Sequence, residues 1–116
     1  MNIPENAGLG ELRQLLAQAE NKLSEESPKL VQYRINENNA KSDYGFELAI
    51  AKVEFQDEKT ETMRKAKAAI KPSVRGKELE WNATWNNLVL GESKVKLLEG
   101  QRDTLKCMIK SEQTSY

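Results

Sequence analysis

The chain has 116 residues, with 18 basic and 18 acidic side chains, no histidine and one cysteine. This length allows one domain at most, and the shortage of histidine and cysteine argues against most zinc sites and against histidine-based catalysis. With no basic, apolar leader and no apolar run of about 20 residues, we expect a cytoplasmic protein without a signal peptide or membrane span.

The first predicted helix covers about residues 8–24. Its apolar residues recur at spacings of three and four, which is typical of one helical face: Leu9, Leu12, Leu16, Ala19 and Leu23. Ser27-Pro28 interrupts this pattern and is also a start signal, because serine caps helices and proline is tolerated at the first helical position. We therefore predict a new helix at Pro28.

The second predicted helix covers about residues 28–71, with an apolar stripe in its later half: Tyr44, Leu48, Ala51, Phe55, Met63, Ala66 and Ile70. Residues 36–39 are poor helix formers, and Gly45 costs about 1 kcal/mol relative to alanine. We favour one continuous helix, with a break near residues 36–43 as the alternative. Pro72 should end the helix, because it forces the preceding residue out of helical geometry, and residues 72–76 should form a turn.

The third predicted helix covers about residues 77–112, followed by a polar tail over residues 113–116. Its apolar seam is Leu79, Trp81, Trp85, Leu88, Val95, Leu98, Leu105 and Ile109. The sequence thus predicts a single all-α domain with a short N-terminal helix and a long antiparallel helical hairpin. Narrow apolar stripes favour a coiled-coil-like homo-oligomer over a compact monomer.

The excess of basic over acidic residues lies in residues 62–77, which we call the basic segment. It contains six basic residues and no acidic residue: Arg64, Lys65, Lys67, Lys71, Arg75 and Lys77. On a helix Arg64, Lys67 and Lys71 would share one face, whereas Met63, Ala66 and Ile70 would take the packed face. Such a tip could bind phosphates by counterion release, but cations also favour helix C-termini and could pair with the acidic ends of neighbouring chains.

Trp81 and Trp85 follow the basic segment, four residues apart. An aromatic ring beside positive charge can stack on an unpaired base, although a packed layer between helices would use the same residues. If Trp85 belongs to the core, Trp81 is the better candidate for exposure. The candidate nucleic-acid site is therefore the six basic residues together with Trp81.

Four acidic residues precede the basic segment and form what we call the acidic run: Glu54, Asp57, Glu58 and Glu61. We interpret the acidic run as a solvated helix face, with Lys52 and Lys59 interspersed. Because no histidine, cysteine or phosphate-binding loop accompanies these residues, the sequence indicates no catalytic residue, metal or cofactor, and the protein is not expected to be an enzyme.

The last helix contains Trp85-Asn86-Asn87-Leu88 and, further on, the pattern Leu-x-x-x-Arg-x-x-Leu-Lys from Leu98 to Lys106. Over about residues 44–110 this plan resembles small helical phage-encoded recombination accessory proteins, with the T4-type recombination mediator similar in outline. The resemblance implies an oligomer that binds single-stranded DNA and helps to load a recombinase onto protein-coated strands. This chain is shorter than that mediator, and no functional residue is carried over.

Two kinds of function follow from these patterns. The first is a non-enzymatic accessory of DNA recombination or replication that binds single-stranded DNA through the basic segment. The second is a protein-binding module whose basic tip meets an acidic protein surface, such as a phage inhibitor of a host nuclease or defence complex, or a structural coiled-coil adaptor.

Overall fold

A computed structural model describes residues 3–4 and 7–114, and its regular secondary structure is helical throughout this part of the chain. Helix α1 covers Leu9–Glu54, α2 covers Glu61–Ala69 and α3 covers Pro72–Thr114. The described residues contain three helices and no strand, which confirms the all-α prediction.

Helix α1 continues through Pro28, so the boundary predicted between residues 24 and 28 is wrong. A proline inside a helix costs about 3 kcal/mol, because it removes a hydrogen bond and clashes with the preceding turn. Leu23 and Leu30 are buried on either side of it, and Pro28 itself is exposed. Packing of this face outweighs the local cost, as is usual for helices in folded proteins. The continuity favoured for residues 36–43 is confirmed.

The helix predicted over residues 28–71 is wrong in its later part, because residues 55–60 are not helical. These residues form turns, in which the Glu58 N–H donates to the Phe55 carbonyl at 3.0 Å. Thr60 then caps α2: its backbone is extended, and its hydroxyl accepts a hydrogen bond from the Met63 N–H at 3.1 Å. Threonine is a favoured N-cap because it satisfies a free N–H group of the first turn.

Pro72 is the first residue of α3, so the turn predicted over residues 72–76 is also wrong. Proline suits the first helical position, where its missing N–H group would have no partner in any case. The Arg75 N–H already donates to the Lys71 carbonyl at 2.9 Å. Helix α3 therefore begins five residues before the predicted start at Lys77, and it extends to Thr114 instead of residue 112. Of the predicted polar tail, residues 115–116 lie outside the described part of the chain.

The chain folds as two compact units. The terminal unit consists of Met1–Leu30 and Leu90–Tyr116, and the central unit of Val31–Val89. Leu12 and Ala19 of α1 form the core of the terminal unit with Leu105 of α3 and with Ala7. Glu26 and Lys94 join the same two helices through an ion pair of 3.0 Å.

The central unit has a small core to which each helix contributes one buried residue. Ala51 comes from α1, Ala68 from α2 and Val74 from α3. Tyr44, Leu48 and Phe55 of the predicted stripe pack around these residues. This core fixes the orientation of α2 and of the first turns of α3, which together carry the basic segment.

Candidate nucleic-acid interface

The basic segment spans two helices and the link between them. Arg64, Lys65 and Lys67 lie on α2, Lys71 lies in the link, and Arg75 and Lys77 lie in the first turns of α3. All of them belong to the central unit. The structure therefore brings the six predicted residues into one region, but it does not place them on one continuous face.

Helix α2 has the opposite orientation to the predicted one. Met63, Ala66 and Ile70, expected to pack, are exposed. Arg64 and Lys71 are half-buried on the side of Ala68, which is fully buried. The capped start at Thr60 makes α2 a separate helix, so its register does not follow that of α1. Two residues of the face predicted to meet an anion, Arg64 and Lys71, are thus turned toward the rest of the central unit, whereas the third, Lys67, is exposed.

The acidic run provides the partners of this face. Lys71 Nζ contacts Glu54 Oε2, and Lys67 Nζ contacts Glu58 Oε1. Arg64 reaches Glu61 Oε2 with Nη1 at 3.4 Å and donates from Nε to the Glu58 carbonyl at 3.2 Å. The acidic run is therefore not a helix face in solvent, since Glu54 ends α1, Asp57 and Glu58 lie in the turns and Glu61 begins α2.

The three ion pairs are nested in the sequence. Glu54 pairs with Lys71, Glu58 with Lys67 and Glu61 with Arg64, so all three are centred between residues 62 and 63. Nested pairs arise when a chain turns back on itself. The sequence did contain this signal, because an acid-rich stretch is followed at once by a basic one in mirror order.

Glu61 is held by two cations. Lys52 Nζ lies 2.6 Å from its Oε1, and Arg64 contacts its Oε2. The hydrogen bond and charge of Lys52, followed by the charge of Arg64, lower the pKa of Glu61 below the ordinary value of 4.5. The two cations thus favour the ionised form of the Glu61 carboxyl.

The remaining cations are less constrained. Lys77 pairs with Glu80 on its own helix at 3.3 Å. Within the described part of the chain, Lys65 and Arg75 have no carboxylate partner, and both side chains are exposed. These two residues are the positions at which an incoming anion meets no internal competitor.

The exposure of the two tryptophans is the reverse of the expected one, in which Trp85 belongs to the core and Trp81 is exposed. Trp81 is half-buried: its Nε1 donates to Glu37 Oε1 at 2.9 Å, and its ring lies against Tyr44 with 5.3 Å between ring centroids. Trp85 is 53% exposed. Trp81 precedes the buried Leu88 by seven residues and so shares its seam, whereas Trp85 lies at the edge of that seam. Trp85 is therefore the more accessible ring for stacking.

Comparison with known proteins gives no relative: no family model matches the chain, and neither the curated proteins nor the solved structures contain a significant match. Across residues 3–4 and 7–114, acidic and cysteine side chains form no group of three or more that could hold a metal ion. None of the helices in this range is both long and apolar enough to cross a bilayer.

Proposed function

We propose that this protein is a non-enzymatic accessory factor of DNA recombination or replication. It acts in the cytoplasm as a homo-oligomer and binds single-stranded DNA through the basic segment. The resemblance of its last helix to phage recombination accessory proteins supports this class, and the concentration of positive charge in residues 62–77 supports the choice of ligand.

The observation that carries the proposal is the exposure of Lys65, Lys67 and Arg75 in the basic segment. In each of the two ion pairs with Glu58 and Glu54, one side chain is about half exposed (Lys67 47%, Glu54 53%) and the other about a quarter exposed (Glu58 24%, Lys71 28%). Ion pairs of this kind contribute about 0–1 kcal/mol, so phosphate oxygens can replace the carboxylates at little cost. Lys65 and Arg75 provide the first contacts, and counterion release drives the binding.

Stacking adds to these contacts. Trp85 presents an exposed ring ten residues after Arg75 in the same helix, and a base–aromatic stack contributes about 1–3 kcal/mol. Trp81 holds the start of α3 against α1 within the central unit through Glu37 and Tyr44. In this proposal Trp81 positions the site, and Trp85 touches the base.

The proposed scaffold is an antiparallel helical hairpin of α1 and α3. Within the terminal unit, Leu12 near the start of α1 shares a core with Leu105 near the end of α3. Within the central unit, Glu37 meets Trp81 and Ala51 meets Val74, so later residues of α1 meet earlier residues of α3. Oligomerisation would then combine several weak sites into useful avidity.

The test is an anisotropy titration of a labelled oligothymidine at two salt concentrations. The double variant Lys65→Gln/Arg75→Gln removes the two unpaired cations, so we expect weaker binding and a salt slope reduced by about 1.4, at about 0.7 per phosphate contact. The control Arg13→Gln/Lys96→Gln removes the same charges from exposed positions of the terminal unit and should bind like the wild type. Absence of wild-type binding at low salt, or equal losses in both variants, would overturn the proposal.

A protein-binding module is the second candidate, and the internal neutralisation of the basic segment favours it. A structural adaptor would need no free cations at this position, whereas a nuclease inhibitor would meet an acidic protein surface through Lys65 and Arg75. The central unit also exposes many large apolar residues. A stoichiometric partner retained after nuclease treatment of a host lysate, together with no affinity for single-stranded DNA, would favour this candidate.

A further inference from the structure

Helix α1 has a second apolar face, which the fold leaves uncovered. Five large residues of the central unit are exposed along it, at 46–68%, and we call them the outer stripe: Val31, Ile35, Phe46, Ile50 and Val53. They form two groups, Val31 with Ile35 and Phe46 with Ile50 and Val53, and exposed apolar residues clustered in this way commonly mark an interaction site.

The five residues share one side of the helix. At 100° per residue they fall within about 100° of one another, on the side opposite the packed Tyr44, Leu48 and Ala51. Asn39, Ser42 and Ala49 complete this side, so it carries no charge from residue 31 to residue 53. At about 1.5 Å per residue the outer stripe is roughly 33 Å long, which is about three heptads of a coiled coil.

The charges of this part of α1 lie along the two edges of the outer stripe and are separated by sign. The same helical geometry places Arg34, Lys41 and Lys52 along one edge, and it places the acidic residues along the other: Asp43, Glu47 and Glu54. Lys52 and Glu54 already pair with Glu61 and Lys71 of the same chain. Among the described residues, Arg34 and Lys41 on one edge and Asp43 and Glu47 on the other are the charges left for a partner. Glu37 is the one remaining charged residue of this stretch, and it lies on the packed side, bonded to Trp81.

Charge separation of this kind selects the partner and its direction. When two identical helices pair in parallel through the same face, each edge of one meets the opposite edge of the other, and flanking charges set the orientation. In an antiparallel pair, like edges meet, and lysine would face basic residues. We propose that a second copy of this chain covers the outer stripe, with the two α1 helices parallel and in register.

This pairing places Lys41 of one copy beside the second copy's Glu47, six residues further along, close to the usual offset of flanking ion pairs. A nucleic acid does not fit the outer stripe, because this face is uncharged. The inference rests on the proposed function in one respect, because it names the surface through which the proposed homo-oligomer forms. Its test measures association without DNA.

The first test is the solution mass of the full chain by light scattering over a range of concentrations. We expect the wild type to have the mass of two chains or a multiple of it. Phe46→Asp should give the mass of one chain with unchanged helix content, because the Phe46 side chain is exposed in the single chain. The matched control is Leu90→Asp, at a residue 69% exposed on α3, which should retain the wild-type mass.

The second test uses charge reversal to distinguish a parallel from an antiparallel pair of α1 helices. Lys41→Glu and Glu47→Lys should each weaken association, and the double variant should restore it, because positions 41 and 47 then carry opposite charges again. An antiparallel pair predicts the reverse for Lys41→Glu, which would relieve repulsion and strengthen association.

The third test uses a cysteine on the outer stripe, in a Cys107→Ser background. Ile35→Cys should form a disulfide with the same position of a second copy under mild oxidation. The proposal is overturned by a wild type that remains a single chain at all concentrations, by a Phe46→Asp variant that still associates, or by cross-linking of Ile35→Cys to Ala49→Cys in preference to itself. A wild type that associates but does not bind single-stranded DNA would overturn only the proposed function.

Discussion

Glu26 lies between two lysines in the terminal unit. Lys94 of α3 is 3.0 Å from its Oε1 and Lys29 of α1 is 3.4 Å from the same atom, and the Glu26 side chain is only 13% exposed. The hydrogen bond from Lys94, and to a lesser extent the hydrogen bond and charge of Lys29, lower the pKa of Glu26 below its ordinary value of 4.5. The ionised carboxylate is thus favoured by folding.

This lowered pKa predicts a loss of stability in acid. A carboxylate whose folded-state pKa lies below its unfolded-state pKa stabilises the fold above the unfolded value, and this contribution is lost as the pH falls through the folded value. We expect Lys94→Met to raise the pKa of Glu26 toward 4.5 and to reduce the fall in melting temperature between pH 7 and pH 3. Carbon-detected NMR titration of Glu26 measures the first effect, and thermal unfolding measures the second.

The control for this prediction is Lys96→Met, since Lys96 is an exposed lysine of the same helix and has no ion-pair partner among the described residues. It should leave the titration of Glu26 unchanged. A Glu26 pKa that is the same in Lys94→Met and in the wild type would contradict the assignment.

At the scale of single residues, sequence patterns located the charges and the aromatic rings but did not assign their partners. Glu26 and Lys94 are far apart in the chain, and only the packing of α1 on α3 within the terminal unit brings them together. Trp81 and Trp85 lie in the same helical period, and which ring is covered depends on where Tyr44 and Glu37 lie. The spacing of residues along the chain shows neither which cation pairs with Glu26 nor which tryptophan ring is covered.

At the scale of elements, two prolines occupy opposite situations. Pro28 lies inside α1, where it removes a backbone hydrogen bond, and Pro72 is the first residue of α3, where it removes none. We predict that Pro28→Ala stabilises the protein by up to about 3 kcal/mol, whereas Pro72→Ala leaves stability unchanged or slightly lower. Denaturant unfolding followed by circular dichroism measures both changes.

These two variants control for each other, because both remove the same ring and add the same helix-forming side chain. Equal stabilisation by the two would mean that the gain does not come from restoring the backbone hydrogen bond at position 28, since Pro72 removes no such bond. Destabilisation by Pro28→Ala would mean that the proline ring contributes more to the fold than the lost hydrogen bond costs.

Helix α3 was largely predictable, because its apolar seam is long and regular, but Leu79 and Trp85 of the predicted seam are exposed and both ends differ from the prediction. The division of residues 28–71 was not, although the apolar stripe shifts by about one residue near Lys59, where the structure has turns. At Ser27-Pro28 the error is the opposite one, because a boundary was predicted where the helix continues. Packing of Leu23 and Leu30, which are buried on either side, outweighs the local stop signal. Start and stop signals describe local preference, and packing decides between them.

At the scale of the whole molecule, the proposed function implies that the acidic run competes with DNA for the basic segment. We therefore predict that Glu54→Gln/Glu58→Gln, which frees Lys71 and Lys67, strengthens binding to single-stranded DNA by about tenfold, or roughly 1.4 kcal/mol. Anisotropy titration measures the change, and the melting temperature should fall only slightly because exposed ion pairs stabilise little.

The matched control is Glu20→Gln/Glu99→Gln, which removes two exposed carboxylates of the terminal unit and changes the net charge equally. If it strengthens binding as much as Glu54→Gln/Glu58→Gln, then net charge alone is responsible. If neither variant differs from the wild type, the nested ion pairs do not shield the basic segment from DNA.

The all-α class could be predicted from the sequence, because every apolar pattern has the helical period and no segment alternates as a strand does. The two compact units could not, because α1 and α3 each contribute to both and no change of composition marks residues 30 and 90. The outer stripe could not be predicted either, because the sequence does not show which apolar residues of α1 the other helices cover.

The discontinuity of the terminal unit has a consequence for synthesis. Val31–Val89 is continuous in sequence, whereas the terminal unit needs both Met1–Leu30 and Leu90–Tyr116. On the ribosome, the central unit can therefore fold before the second half of the terminal unit has been made, as domains generally do when they emerge in order. The outer stripe and the basic segment then form on the nascent chain first. If the outer stripe pairs two copies as proposed, neighbouring chains on one message can meet through it before either is released.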